Sequence, residues 1–398
     1  MNSADAPVVR LTLASPDAVQ NPVPVFHRVL EAGPVIYDPD LGGYVVGHYD
    51  DVRTILKLDA DFAQHAEFHE KMIGARDFLG MADPEHAEVR SAFSPSFTTS
   101  AVRTLESATR AIVDDAVTMS LKSGDFDGVA TIGRPVAGGT LAALLHVPSR
   151  DVPKFMGWAE DIGRTTEALA EPDPAERARL EQVGIEATKL LLDYAGVLLR
   201  EQGAGEHHPD LIADFANSAV ARQMPAIERQ ANVARIILGG HDNTWKLIAH
   251  LLVEFGRRRD QWRAVVADRS LIPAAVEETL RYVTPAPVIQ RVATQDVTVG
   301  GYRISAGSPL FLMLGAANRD PSRWAEPDEF DIFRPHRPHL DFGLGPHVCI
   351  GGSTTRMELR VVLEALADRM PDYLLLNDDI QYGPIFMSRG PREVWIAA

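Results

Sequence analysis

The single cysteine of the chain, Cys349, stands in the run F-G-L-G-P-H-V-C-I-G, Phe342 to Gly351. A lone cysteine is by default a small buried hydrophobe. Here it is surrounded by Gly343, Gly345 and Gly351, which can take backbone conformations closed to other residues. Such a loop can aim N–H groups at the sulfur and favour a thiolate. The apolar spacing of TTRMELRVVLEALADRM predicts a helix just after Cys349, whose positive end would act in the same direction. Three other groupings could do chemistry. G-G-H-D-N-T, Gly239 to Thr244, sets a carboxylate, an amide and a hydroxyl beside a glycine pair. D-P-E-H-A-E-V-R sets His86 and Arg90 four apart on one helical face, and E-E-T-L-R sets Glu278 and Arg281 three apart on another.

The cysteine run resembles the signature of the cytochrome P450 family, F-G-x-G-x-H-x-C-x-G, at all six fixed positions. The resemblance extends over nearly the whole chain, from the N-terminal strand pair to S-R-G-P at Ser388 to Pro391. It implies a triangular, helix-rich P450 fold with a smaller β-rich lobe, mainly α and α+β in class. It also implies haem b, iron protoporphyrin IX, with Cys349 as the iron ligand. A thiolate ligand donates electron density into the iron and favours O–O cleavage. Phe342 would pack beside the sulfur and restrict water, while Gly343 and Gly351 would let the backbone approach the porphyrin. His86, Arg90, Arg291 in QRVAT and His347 match contacts to the haem propionates, which need cations or strong donors when buried. Glu278 and Arg281 match the family's E-x-x-R, and Arg334, in FDIFRP, its third member. Their implied role is structural, because a buried ion network costs desolvation and mainly fixes geometry.

The stretch from Gly239 to Thr244 is similar to the family's oxygen-binding segment, Ala/Gly-Gly-x-Asp/Glu-Thr-Thr. Gly239 and Gly240 would leave room for dioxygen, and Asp242 would relay protons as a general acid and base. The chain departs from the pattern at Asn243, which replaces the first threonine, while Thr244 keeps the second. An amide hydrogen-bonds to ordered water but does not titrate, so proton delivery is expected through water and Asp242, with Asn243 positioning it. A second reading stays open, in which Asp242 and Asn243 only satisfy helix carbonyls and N–H groups opened at a bend.

The resemblance assigns substrate contacts to four regions. Ahead of His86 these are Phe62, Phe68, Met72, Phe78 and Leu79; on the central helix, Leu238. After Arg281 they are Pro287, Val288 and Ile289, and near the C-terminus Ile385, Phe386 and Met387. Their apolar character points to a small hydrophobic substrate, terpenoid or aromatic. Arg235, seven residues before Asp242, either binds an anionic or carbonyl-bearing substrate, or else snorkels to the surface or pairs with a neighbour.

The elements that must position these groups can be read from the pattern. Residues Pro34 to Leu58 read strand, turn, strand, helix. From Pro84 to Glu201 helices dominate, broken at Pro95, Pro135, Pro148 and the acidic stretch Glu171 to Glu176, a loop. A long, mostly apolar helix is expected from Pro225, with Gly239-Gly240 marking a close approach or a bend. VTVGGYRI predicts a hairpin turning at Gly300-Gly301.

With 398 residues, 45% of them apolar and without a shift in composition, the chain is expected to form one domain over residues 1–398. One cysteine excludes an internal disulfide, and without a membrane-length apolar run or signal pattern the expected location is cytoplasmic; a monomer is also expected. A formal charge of −16 argues against nucleic acid or an anionic membrane as partner. R-P-H-R-P-H, Arg334 to His339, with Arg356 and Arg360 is the locally basic region where an acidic ferredoxin could dock.

The expected activity is therefore an NAD(P)H-driven, ferredoxin-dependent monooxygenase that hydroxylates or O-dealkylates its substrate with O2. A peroxide-driven variant is made thinkable by Asn243. A non-catalytic haem-binding protein is the third reading, against which Asp242 and the glycine pair weigh.

Overall fold

The computed structural model describes residues 6–168, 171–201, 210–377 and 379–398. The chain divides into two compact units, one from the described residues of 1–65, 250–349 and 378–392, the other from those of 66–249, 350–377 and 393–398.

The first unit is built on a five-stranded sheet in the order β1 (Ile36–Asp38), β2 (Gly43–Val46), β8 (Pro309–Leu312), β5 (Ile289–Ala293), β3 (Phe62–Ala63). β2 and β8 run parallel with Val45 opposite Phe311, and β5 runs antiparallel to β8 with Arg291 opposite Leu310. Alternation along the strands divides the apolar residues between two faces. Ile36, Val45 and Phe311 pack with Phe26, Val29 and Phe386. Val46, Leu310 and Leu312 pack with Val52 and Ile55 of the helix Tyr49–Lys57. The expected hairpin is present as β6 (Val297–Val299) and β7 (Tyr302–Ile304), turning on Gly300 and Gly301, both at positive φ.

The second unit is mostly helical. The helix Thr99–Ser123 begins where the Thr98 hydroxyl accepts from Ala101 N and packs against the helices Arg134–Leu144 and Gly352–Arg369. The helices Val152–Ala168 and Pro174–Glu201 pack on each other. A small sheet, β4 (Phe126–Asp127), β12 (Trp395–Ala397) and β9 (Leu374–Leu375), completes this unit, and β10 (Tyr382–Ile385) pairs with β11 (Ser388–Pro391) in the first. The long helix runs from Ala226 to Arg257 without a break, and of its glycine pair only Gly240 lies against a neighbour, Leu141. No described helix is long and apolar enough to cross a membrane.

Glu358, on the helix Gly352–Arg369, is fully enclosed and bonded to Thr140 of the helix Arg134–Leu144, and burial raises its carboxyl well above the ordinary 4.5. The folded protein therefore holds this proton more tightly than the unfolded chain does. That contribution is complete below pH 4.5 and is lost as pH rises through the folded value. Glu358→Gln cannot ionise and keeps a partner for Thr140. Chemical denaturation should find it equal to the parent near pH 4 and more stable than the parent at pH 8; equal stability at both would refute the buried neutral acid.

Candidate functional site

In the first unit the cysteine loop is closed by its own backbone. Gly343 N donates to Leu340 O at 2.9 Å, Cys349 N to Phe342 O at 2.9 Å, and Val348 N to Gly345 O at 3.1 Å. Gly343 lies at φ +66° and Gly345 at +79°, where side chains are strained. A Cβ on Gly345 would also stand 2.2 Å from Leu56 O, so the loop presses onto the last turn of the helix Tyr49–Lys57. Gly351 is different: at φ −83° it is the N-cap of the helix Gly352–Arg369 and needs no glycine freedom, contrary to the expectation for all three glycines. Cys349 is exposed and in no disulfide, three residues before that helix, whose unpaired N–H groups favour negative charge on the sulfur.

Arg291 projects from β5 and is 3% exposed. Among the described residues its hydrogen bonds go only to neutral oxygens, Gln64 Oε1 at 3.0 Å and Gln290 O at 2.8 Å. Burial pushes its guanidinium down to about 10, opposed by the charge of Asp59. His347, in the cysteine loop, sits with Nε2 3.3 Å from Asp59 Oδ1. In the second unit His86 is buried, with Nδ1 3.1 Å from Asp83 Oδ1 and its ring stacked on Phe78. Arg90, one turn on in the helix Glu85–Phe93, is half-buried.

The Glu-Arg-Arg group forms a clamp. Arg281 Nε and Nη2 donate to the two oxygens of Glu278, each at 2.8 Å, and its other donors reach Asn318 O, Pro327 O and Glu329 O. Glu278 also accepts from Asp331 N at 2.8 Å and has Arg334 Nε at 3.5 Å. The clamp extends to the cysteine loop through Asn318, whose Oδ1 accepts from Leu340 N at 2.7 Å. Asn318 lies in A-N-R-D-P, Ala317 to Pro321, between the Glu-x-x-Arg motif and the cysteine run.

On the long helix, a Cβ at Gly239 would meet no atom within 4 Å, whereas one at Gly240 would stand 2.9 Å from Leu141 Cδ1. Asp242, one turn on from Gly239, is half-buried, as is Asn243, and Thr244 is buried. Asp242 Oδ2 accepts from Lys246 Nζ at 2.6 Å, and the lysine side chain is 2% exposed. Lys246 went unnoticed in the sequence, although its i, i+4 spacing from Asp242 is legible. His241, the neighbour of Asp242 on the helix, is fully buried, and burial lowers its imidazole to about 4, so it is neutral at pH 7.

Arg235 takes the second of its two readings. Its guanidinium pairs with Asp77 at 2.8 Å and donates to His69 O, and Asp77 in turn caps Leu79 N. Together with Asn232, which accepts from Phe78 N, it clamps residues 77–79 to the long helix and leaves no cation for a substrate. Of the apolar candidates, Phe62, Val288 and Phe386 belong to the core of the first unit and Phe78 to that of the second, where it packs on Phe93. Pro287 is also buried. Half-buried are Phe68, Met72, Leu79 and Leu238 in the second unit and Ile289, Ile385 and Met387 in the first.

The basic region is less basic than its composition. Arg334 is tied to Glu278 and to backbone carbonyls, and His339 lies 3.2 Å from Glu277. Arg360 bonds Glu106 at 2.6 Å and Glu364 at 3.0 Å, sharing both with Arg110. His336 and Arg337 stay exposed, beside Phe333 at 59%.

A thiol in a glycine loop and a buried arginine among neutral acceptors thus stand in the first unit, and an open glycine one turn from a carboxylate in the second. A family model for Cytochrome P450 matches residues 251–369. Cyclomarin C epoxidase CymV of Salinispora arenicola (strain CNS-205) is 32% identical over 332 residues, covering 81% of this chain and 80% of the relative. The Biotin biosynthesis cytochrome P450 of Bacillus subtilis (strain 168) is 28% identical, covering 96% of this chain and 97% of the relative. Cytochrome P450 CYP109Q5 from Chondromyces apiculatus superposes with a TM-score of 0.84 at 28% identity, covering 98% of each chain.

The chain belongs to the cytochrome P450 family. It is a monooxygenase, its cofactor is haem b, and it works with O2 and a redox partner. The residues present suit that group: Arg291 is a buried cation whose bonded neighbours are neutral, an environment that an anionic propionate would relieve, and Cys349 is a thiol at the positive end of a helix.

Proposed function

We propose that this protein, acting as a single haem domain, inserts one oxygen atom from O2 into a small hydrophobic substrate by hydroxylation or O-dealkylation. Electrons come from a ferredoxin and its reductase. Cys349 holds the iron, supported by Phe342 and Gly343. Arg291, His347, His86 and Arg90 hold the propionates. The bound haem supplies oxygen activation. Cys349 carries the proposal: it is the only thiol of the chain, exposed in a loop that two left-handed glycines hold in place.

Around the oxygen site, Gly239 leaves space, Asp242 hands on protons through water and Asn243 orients that water. Lys246 holds the Asp242 carboxylate by its 2.6 Å ion pair. The apolar character of the candidate contact residues supports a hydrophobic substrate class. The ferredoxin docks on the exposed His336 and Arg337.

Two feeding regimes test the reading. Turnover is expected with NADPH, ferredoxin and reductase, and hydrogen peroxide alone should give little product; efficient peroxide-driven turnover would favour the peroxygenase alternative. Under the reductase regime Asn243→Ala should lower product formed per electron pair by roughly 10-fold, less than loss of a proton donor itself. The substrate-induced shift of the ferric spectrum should be retained. Equal coupling in variant and parent would remove Asn243 from proton delivery.

A further inference from the structure

Asp59 has no part in the function proposed above, yet it lies among the groups that function uses. It belongs to the short segment between the helix Tyr49–Lys57 and β3, in the same unit as the cysteine loop. Its Oδ1 stands 3.3 Å from His347 Nε2, with the two side chains 13% and 2% exposed. The contact is enforced from the backbone. Gly345, two residues before His347, admits no side chain because Leu56 O fills the space, and Leu56 is three residues before Asp59. Arg291, bonded to Gln64 and Gln290, feels Asp59 as its counter-charge and not as a direct partner.

A carboxylate thus stands against one of two groups that would otherwise serve only an anionic cofactor edge and within electrostatic reach of the other. Were its role to neutralise Arg291, a direct bidentate pair would be the stronger solution. Held off from the guanidinium and set against the imidazole, it leaves Arg291 able to bind a further anion and orients His347. It also keeps one buried negative charge close to that edge, where low dielectric makes the charge felt over distance. We infer that Asp59 is a positioning residue for the haem propionate site and that its charge holds the reduction potential of the bound iron down. The inference rests on the reading that Arg291 and His347 bind a propionate.

The test uses the haem-loaded protein and two readouts, the ferric–ferrous midpoint potential and the rate of haem transfer to excess apomyoglobin. Asp59→Asn, close in shape but uncharged, should shift the potential to more positive values and leave haem transfer within about twofold of the parent. Asp59→Glu should return the potential toward the parent value. Arg291→Gln, the control for the site, should speed haem transfer by roughly 10-fold or more. If Arg291→Gln loses haem quickly and Asp59→Asn leaves the potential unchanged, Asp59 has no such role and the propionate reading stands. If Asp59→Asn speeds haem loss without shifting the potential, its role is structural and the inference fails. If Arg291→Gln holds haem as well as the parent, the propionate reading itself fails, and the inference with it.

Discussion

Replacement of Cys349 by serine is expected to abolish the absorption band that thiolate ligation gives the reduced, carbon monoxide-bound protein, and to reduce oxygen insertion to background. No other cysteine exists in the chain, so no second thiolate can take its place. Serine fits the loop, whose closing bonds are made by the backbone of Phe342, Gly345, Val348 and Cys349. Stability should therefore be nearly unchanged, and the difference is one of electron donation. A hydroxyl stays protonated at neutral pH and is a poor donor, whereas the positive end of the helix Gly352–Arg369 favours a thiolate. The spectrum of the carbon monoxide complex and product formation measure this directly; a serine variant with the parent's spectrum would show that iron is held elsewhere.

Arg281→Ala is the substitution expected to cost most in folding. The guanidinium directs its donors to Glu278, Asn318, Pro327 and Glu329, at distances of 2.8 to 2.9 Å, while 2% exposed. Its removal leaves the Glu278 carboxylate buried with its main counter-charge gone, and breaking such a pair costs about 3–5 kcal/mol. Against a total stability of roughly 5–15 kcal/mol, that is enough to deplete the folded protein. Arg281→Lys should recover little, since a point charge cannot span the fork. By contrast Arg110, Glu106, Arg360 and Glu364 are 24–43% exposed, and breaking one of those pairs should cost within about 1 kcal/mol. Denaturant titration of the variants compares the two groups, and a loss for Arg281→Ala no larger than for Arg360→Ala would refute the clamp.

Much of this protein was readable in one dimension. The strand pair and helix of residues 34–58, the hairpin at Gly300-Gly301 and the long helix after Pro225 follow from apolar spacing and turn residues, and the structure has all of them. The need for glycine at 343 and 345 was also legible, because their neighbours in the motif leave few other ways to bend a backbone so tightly. Gly351 misled, since at a helix N-cap glycine is only one of several suitable residues. Arg235 left two alternatives, and only the fold chose between them, by bringing up Asp77 from 158 residues away.

The order of residues by itself determined which chemical groups are available, which of them share a helix face, and where a thiol precedes a helix, because those properties depend on neighbours within a few residues. Which charges are spent and which are kept was decided only by tertiary structure. Gln64 reaches Arg291 across 227 positions, and Glu106 reaches Arg360 across 254. Desolvation and pairing depend on what surrounds a group in space, and no local pattern encodes that. Identical arginines thus become a clamp at 281, a tether at 235 and a buried cation suited to an anionic ligand at 291.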